Sequence, residues 1–153
     1  MNPETVEAIP LGGLGEFGMN MMVLRYEDQM IVIDAGLMFP DEELLGIDIM
    51  VPDISLLIEN ASQVKAFLLT HGHEDHIGGL PFVLPALMHV PVYGTRYTLG
   101  LVKGKLEEHG LLQQPKHATV KPRQVEQIGD FRVEFIHVTD SIVDAVMLAI
   151  TTP

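Results

Sequence analysis

The run V-K-A-F-L-L-T, residues 64 to 70, is apolar, short and free of breakers, and it passes directly into H-G-H-E-D-H-I-G-G. Its length and composition predict a buried strand, so three histidines and two acids, His71 to His76, sit at the C-terminal end of that strand. A buried strand needs partners, and the chain supplies them in short apolar runs punctuated by glycine and proline. V-E-A-I-P-L (6 to 11) predicts a strand followed by a glycine-rich turn, and M-M-V-L-R-Y (21 to 26) and M-I-V-I-D (30 to 34) flank the E-D-Q turn as a hairpin. A polar, proline-bounded loop is expected over 40 to 54, and a short helix from Ile54 to Glu59.

Beyond the histidines, residues 77 to 88 are apolar and expected to be helical after the glycines, and V-P-V-Y-G (90 to 94) predicts a short strand. Tyr97 to His109 has helical periodicity and is stopped by Gly110. Strands are expected at Ala118–Lys121, Phe131–Thr139 and Ala145–Thr151. The pattern predicts one α/β domain over residues 1 to 153, with a mixed β-sheet and flanking helices. A length of 153 residues with 47% hydrophobic content is enough to bury a core.

The histidine cluster has the composition of a metal site. With no cysteine in the chain, a metal must be held by imidazole and carboxylate. His71 and His73 are two apart in a tight turn and aim at one ion, whereas Asp75 and His76 face the opposite way and suit a second. Gly72, Gly78 and Gly79 let the backbone bend around them. Asp34, at the end of M-I-V-I-D, fits two roles: a turn cap, or an acceptor that orients a metal-binding histidine. The G-L-G-E-F-G run (Gly13, Gly15, Gly18) fits a dinucleotide fingerprint, but the next turn follows about ten residues after Gly18, less than the dozen that a parallel crossover needs. A turn that brings the backbone close to the cleft is the expectation there.

Nine basic against 21 acidic residues give a net charge of -12, which opposes a general grip on phosphate backbones. No run approaches the ~20 apolar residues of a membrane span, and M-N-P-E-T-V-E lacks the features of a secretory signal. No membrane association and a cytoplasmic location are expected.

H-G-H-E-D-H-I-G-G, together with L-G-G-L-G-E-F-G-M-N (11 to 20), D-A-G-L-M-F-P (34 to 40) and D-I-M-V-P-D (48 to 53), resembles the metallo-β-lactamase superfamily and within it the N-terminal part of the ribonuclease J family. The resemblance runs from Ala8 to Pro153. It implies the N-terminal half of an αβ/βα sandwich and a zinc-dependent ribonuclease, with exonuclease and endonuclease activity, in which two ions activate a water for attack on a phosphodiester. By position it implies that His71 and His73 bind one metal, Asp75 and His76 the other, and that Asp34 supports the site; Asp75 and His76 are the expected catalytic pair. RNA is the implied partner.

Two departures from the family pattern shape the expectations. Where the family has Val-Thr-His followed by Ser-Ile-Pro-Asp, this chain reads V-T-D-S-I-V-D, so Asp140 stands in the place of a ligand histidine. A carboxylate binds zinc but lowers the Lewis acidity left for water. His137, three residues earlier on a strand, is expected to face the other way and to be structural. The family also carries a metal-bridging Asp, a second catalytic domain and further ligands beyond the segment matched here. About one zinc per chain or fewer, low activity, and a homo-oligomer formed through an uncovered sheet face are therefore expected. Two other readings remain open: a non-catalytic metal-binding half-domain, and another hydrolase of the superfamily.

Overall fold

The computed structural model describes residues 5–40, 46–111, 113 and 115–153, so positions 41–45 of the expected 40–54 loop lie outside the described residues. The chain opens with β1 (Val6–Gly12), β2 (Met21–Tyr26) and β3 (Gln29–Ile33), paired antiparallel in order. β1 and β2 are hairpin partners, so the glycine run between them closes a turn and opens no helix. Gly13, Gly15 and Gly18 all take positive φ, a conformation that glycine reaches without steric cost.

From β3 the sheet turns parallel through β4 (Val64–Leu68), β5 (Val92–Gly94) and β6 (His117–Thr119), completing six strands in the order β1-β2-β3-β4-β5-β6. Each parallel step crosses over a helical segment. α1 (Ser55–Glu59) precedes β4; α2 (Glu74–Ile77) and α3 (Leu80–Val83), with a following 3-10 turn at Leu84–Ala86, precede β5; α4 (Arg96–Glu108) precedes β6. The helix expected over 77 to 88 is thus broken into pieces. Pro81 and Pro85 each sit in the first turn of a new piece, where their missing N–H costs nothing, and they cannot continue a preceding helix. α4 is capped at its start by the extended residue Thr95 and ends at His109, with Gly110 at φ 70°.

The last three strands, β7 (Val125–Ile128), β8 (Phe131–His137) and β9 (Val146–Thr151), form a separate antiparallel sheet. Sequence reading missed β7. Its four residues V-E-Q-I offer little alternation, yet Ile128 pairs with Phe131 across a two-residue Gly129-Asp130 turn, a connection typical of hairpins.

The large sheet is covered on both faces, which corrects the expectation of a bare one. On one side, Val32, Phe67, Leu69 and Val92 pack with Leu57, Leu80, Leu84, Val102 and Leu106 of the helical layer. On the other, Ile31, Ala66 and Leu68 meet Phe131, Val133 and Phe135 of the small sheet. All of these residues are buried. Tyr26 and Phe131 lock the two sheets edge to face, with centroids 6.5 Å apart. Burial of one such side chain contributes about 1.5–3 kcal/mol, so the three inward residues of β8 anchor the small sheet firmly. The central strands of the large sheet therefore give no open seat for the homo-oligomer expected on that ground; exposed apolar side chains are scattered instead, among them Val6 on the edge strand β1, Phe17 and Phe39 in loops, and Val125 and Met147 on the small sheet.

Two consequences fix the site. β3 and β4 are parallel neighbours, so Asp34 and Thr70 leave the sheet at the same edge, and Val146 at the start of β9 donates its N–H to the Thr70 carbonyl at 2.9 Å. The loop from β8 to β9, carrying Asp140, is thereby held beside the histidines that follow Thr70. No helix among the described residues is long and apolar enough to cross a membrane.

Candidate metal centre

Asp34 lies at the bottom of the site, 4% exposed, and three donors converge on its carboxylate. The Thr70 backbone N–H donates to Oδ1 at 2.8 Å, the Thr70 hydroxyl to Oδ2 at 2.7 Å, and His76 Nδ1 to Oδ2 at 2.8 Å. Asp34 is thus a buried acceptor in contact with a histidine ring as well as with the Thr70 backbone and hydroxyl. Its backbone is in the left-handed region at φ 58°, which costs a non-glycine residue about 1–2 kcal/mol, offset by these bonds.

Above Asp34 stand the three imidazoles. His71 and His73 are edge to face with centroids 4.8 Å apart, and His71 and His76 are tilted at 4.0 Å. His71, His73 and Asp140 each offer one ligand atom, and the three atoms lie within 4.8 Å of one another. The Asp140 carboxylate therefore reaches the cluster. His137, expected to be structural, ends β8 exposed, outside that three-donor group and outside the core.

Asp75 and His76 form the second pair. Asp75 Oδ2 is 3.5 Å from His76 Nε2, and His73 Nδ1 is 3.5 Å from Asp140 Oδ1. Two donors that each lie about 2.0–2.2 Å from a tetrahedral ion are about 3.4 Å apart, so both spacings suit a shared divalent cation. The donor set, imidazole nitrogen and carboxylate oxygen with no sulfur, suits first-row ions of the zinc type. His71 and His73 with Asp140 would hold one such ion, and Asp75 with His76 would contribute to a second.

Electrostatics favour that assignment at His71 and Asp140 and oppose it at His76, where a cation would have to displace a proton. Burial, reinforced by the neighbouring His76, lowers the His71 pKa and favours the neutral ring that a metal requires. At His76 burial also opposes the charge, but the hydrogen bond to Asp34 and the charges of Asp34, Asp75 and Asp140 outweigh it and raise the pKa. Desolvation pushes Asp140 up, yet the Ile142 N–H, the His71 ring and Ser141 hold its carboxyl below the usual value, so it stays anionic.

Three supporting residues were missed in the sequence reading. Asn20, delivered by the glycine turn, donates from Nδ2 to Asp75 Oδ2 at 3.0 Å and reaches His76 Nε2 at 3.3 Å, while its backbone N–H donates to the Asp75 carbonyl at 2.9 Å. The expectation that this turn approaches the cleft is thus met, and the approach has a purpose. Thr70 contacts both Asp34 and His71, and the Ser141 hydroxyl touches His73 Nε2 at 3.2 Å. The metal loop is also tied to α4, since Lys105 Nζ lies 2.8 Å from Glu74 Oε1.

Comparison with known proteins gives the family and the fold. The sequence pattern described as "Metallo-beta-lactamase superfamily" matches residues 14–144. Over 97% of its length the chain is 47% identical to ribonuclease J of Thermus thermophilus, covering 27% of that protein. It is 43% identical over 99% of its length to ribonuclease J2 of Bacillus subtilis, again covering 27%. The chain thus spans about a quarter of the length of these relatives. Among solved structures, the metallo-beta-lactamase fold protein YhfI from Bacillus subtilis aligns with TM-score 0.65 and 18% identity, over 97% of this chain and 59% of that one. With the histidine cluster at the end of β4, a two-sheet core behind it and a superfamily match that covers most of the chain, the assignment follows: the chain belongs to the metallo-β-lactamase superfamily.

Proposed function

We propose that this chain carries the histidine and aspartate donors of a ribonuclease J-type centre, a zinc-dependent hydrolase of RNA phosphodiesters working in the cytoplasm. The observation that carries the metal half of the reading is the convergence of His71, His73 and Asp140 beside the Asp75–His76 pair at matched 3.5 Å spacings. The RNA half rests on sequence likeness to ribonucleases J, because the fold by itself hosts other chemistry: solved neighbours include a diphosphatase and flavo-di-iron proteins.

Divalent cations held by these donors would supply Lewis-acid charge at the phosphodiester and lower the pKa of the attacking water. The protein's part is orientation. Asp34 holds His76 through Nδ1 and leaves Nε2 facing Asp75; Asn20 fixes the Asp75 carboxylate, which is placed to take a proton from the attacking water. With a net charge of -12, this segment is not the main grip on RNA.

Low activity of the 153-residue chain is expected, since only one three-donor group forms among the described residues. Incubated with a 5′-monophosphorylated RNA, the purified chain should give weak cleavage that a chelator stops and His76→Ala removes. Cleavage that persists in chelator and in His76→Ala would defeat the proposal.

Asp140 tests the metal assignment separately. Asp140→Ala should weaken zinc binding about tenfold or more, equivalent to ~1.4 kcal/mol. Asp140→His should keep about one ion per chain, shift preference toward zinc, and leave RNA cleavage low. Elemental analysis and titration with competing metals read all three. Unchanged affinity in both variants would remove Asp140 from the ligand set, and strong RNA cleavage by Asp140→His would show that the carboxylate, rather than the donor count, limits the chain.

A further inference from the structure

Thr70 immediately precedes the histidine motif, and its hydroxyl lies between two groups that matter to the site: Asp34 Oδ2 at 2.7 Å and His71 Nδ1 at 2.9 Å. A hydroxyl has one proton to give and lone pairs to receive. The Asp34 carboxylate has only acceptors, so if the hydroxyl proton pointed at His71, two oxygens would face each other at 2.7 Å with no proton between them. The proton therefore lies toward Asp34. Thr70 Oγ1 then receives a hydrogen bond, and the group facing it is His71 Nδ1.

We propose that the Thr70 hydroxyl is a positioning group that holds His71 in its Nδ1-protonated tautomer and so directs His71 Nε2 at the cation site. The inference rests on the metal reading of the cluster and names the residue that sets one ligand's polarity. One buried carboxylate then orders two rings, His76 by direct contact and His71 through Thr70.

His73 makes the contrast. Its Nδ1 faces Asp140 at 3.5 Å and its Nε2 contacts Ser141 Oγ, whose hydroxyl donates to Asp140 Oδ1 at 3.2 Å and so accepts from the ring. Adjacent ligands thus present opposite nitrogens, which is how two histidines separated by a single glycine reach one point with rings 89° apart. The fold does not need the Thr70 hydroxyl for this loop's path. The Thr70 N–H is held by Asp34 Oδ1 and its carbonyl by the Val146 N–H, both through backbone atoms. Valine matches threonine in shape, so Thr70→Val deletes the relay and leaves those bonds in place.

The test is nitrogen-detected NMR of the metal-free full chain labelled at histidine, at a pH where the imidazoles are neutral, followed by zinc titration. Wild type and Thr70→Ser should show His71 protonated on Nδ1. Thr70→Val should move the proton toward Nε2 and lower zinc affinity about 10–100-fold, the usual loss when a group behind a ligand is removed, with Thr70→Ser within about threefold of wild type. A wild-type His71 protonated on Nε2 overturns the proposal, and so does Thr70→Val with the wild-type tautomer and affinity. If Thr70→Val fails to fold, the wild-type and Thr70→Ser spectra still decide. A wild-type chain that keeps the Nδ1 tautomer but takes up no divalent cation sustains the relay and defeats the metal reading instead.

Discussion

Gly36→Ala is expected to destabilise the chain by about 3 kcal/mol and to abolish tight metal binding, although Gly36 touches no ligand side chain. A Cβ at this position would fall 1.7 Å from the Asp75 carbonyl oxygen, 2.2 Å from its carbon and 2.8 Å from the Asn20 nitrogen. These obstacles are backbone atoms and cannot rotate aside. They also belong to the network that holds the site, since Gly36 N–H donates to the Asn20 carbonyl at 3.0 Å, Asn20 N–H to the Asp75 carbonyl at 2.9 Å, and Ala35 N–H to the His76 carbonyl at 2.8 Å. Any relief of the clash separates the β3 exit from the metal loop and drags Asp75 and His76 from their partners. For a domain of about this size each kcal/mol lowers Tm by about 2–4 °C, so thermal unfolding should fall by roughly 10 °C. Thermal unfolding followed by circular dichroism, with zinc titration, reads both effects. A Gly36→Ala chain with wild-type Tm and zinc affinity would show that the loop tolerates displacement, and that the packing at Gly36 does not hold the site.

The proposed donors could be named from the sequence because their chemistry is local. His71, His73, Asp75 and His76 occupy six consecutive positions at the end of an apolar run, and both strand and cluster stand where that pattern puts them. Asp34 could be named but not assigned a role, since a strand-end aspartate caps turns as readily as it holds histidines; its burial and its three donors appear only in the fold. Asn20, Thr70 and Ser141 could not be found by spacing. Asn20 meets Asp75 across 55 residues and Ser141 meets His73 across 68, and nothing in a single sequence marks an ordinary polar residue as the partner of another so far away. Thr70 was in plain view but looked like the last residue of a strand.

The fold followed the same division. The hairpin at the start, the strand into the site and α4 carry their periodicity within themselves. β7 is four residues long with a single buried side chain, too little pattern to stand out from a charged turn. Covering of the large sheet by β7, β8 and β9 was equally hidden, because it depends on where three strands fold back rather than on what any one of them contains. The alternation of Phe131, Val133 and Phe135 gave their inward face but not the surface it would meet.

Asp34→Ala is expected to match Gly36→Ala in stability loss, and its comparison with Asp34→Asn separates folding from ligand polarity. Removing the carboxylate leaves the Thr70 N–H, the Thr70 hydroxyl and His76 Nδ1 without their acceptor. A buried donor left unpaired costs about 1–3 kcal/mol, and water reaching the half-buried rings recovers part of that, so a net loss of about 3–4 kcal/mol is expected. Alanine is also poorer than aspartate in the left-handed conformation at φ 58°. Asparagine keeps the shape and one acceptor. With its oxygen receiving the Thr70 N–H, its NH2 faces the Thr70 hydroxyl and His76 Nδ1, and both must turn into acceptors. The His76 proton then moves to Nε2, the atom 3.5 Å from Asp75, and Thr70 is released to donate to His71 Nδ1, which forces the His71 proton to Nε2 as well. Two ligand atoms become donors that no cation can use. Asp34→Asn should therefore lose only about 1–2 kcal/mol of stability while zinc affinity falls about 100-fold, and Asp34→Ala should lose both. Denaturant unfolding and zinc titration on the two variants measure this split. If Asp34→Asn binds zinc as wild type does, the carboxylate does not set the polarity of the rings, and if Asp34→Ala unfolds at the wild-type midpoint, it is not the acceptor that holds β3, β4 and the metal loop together.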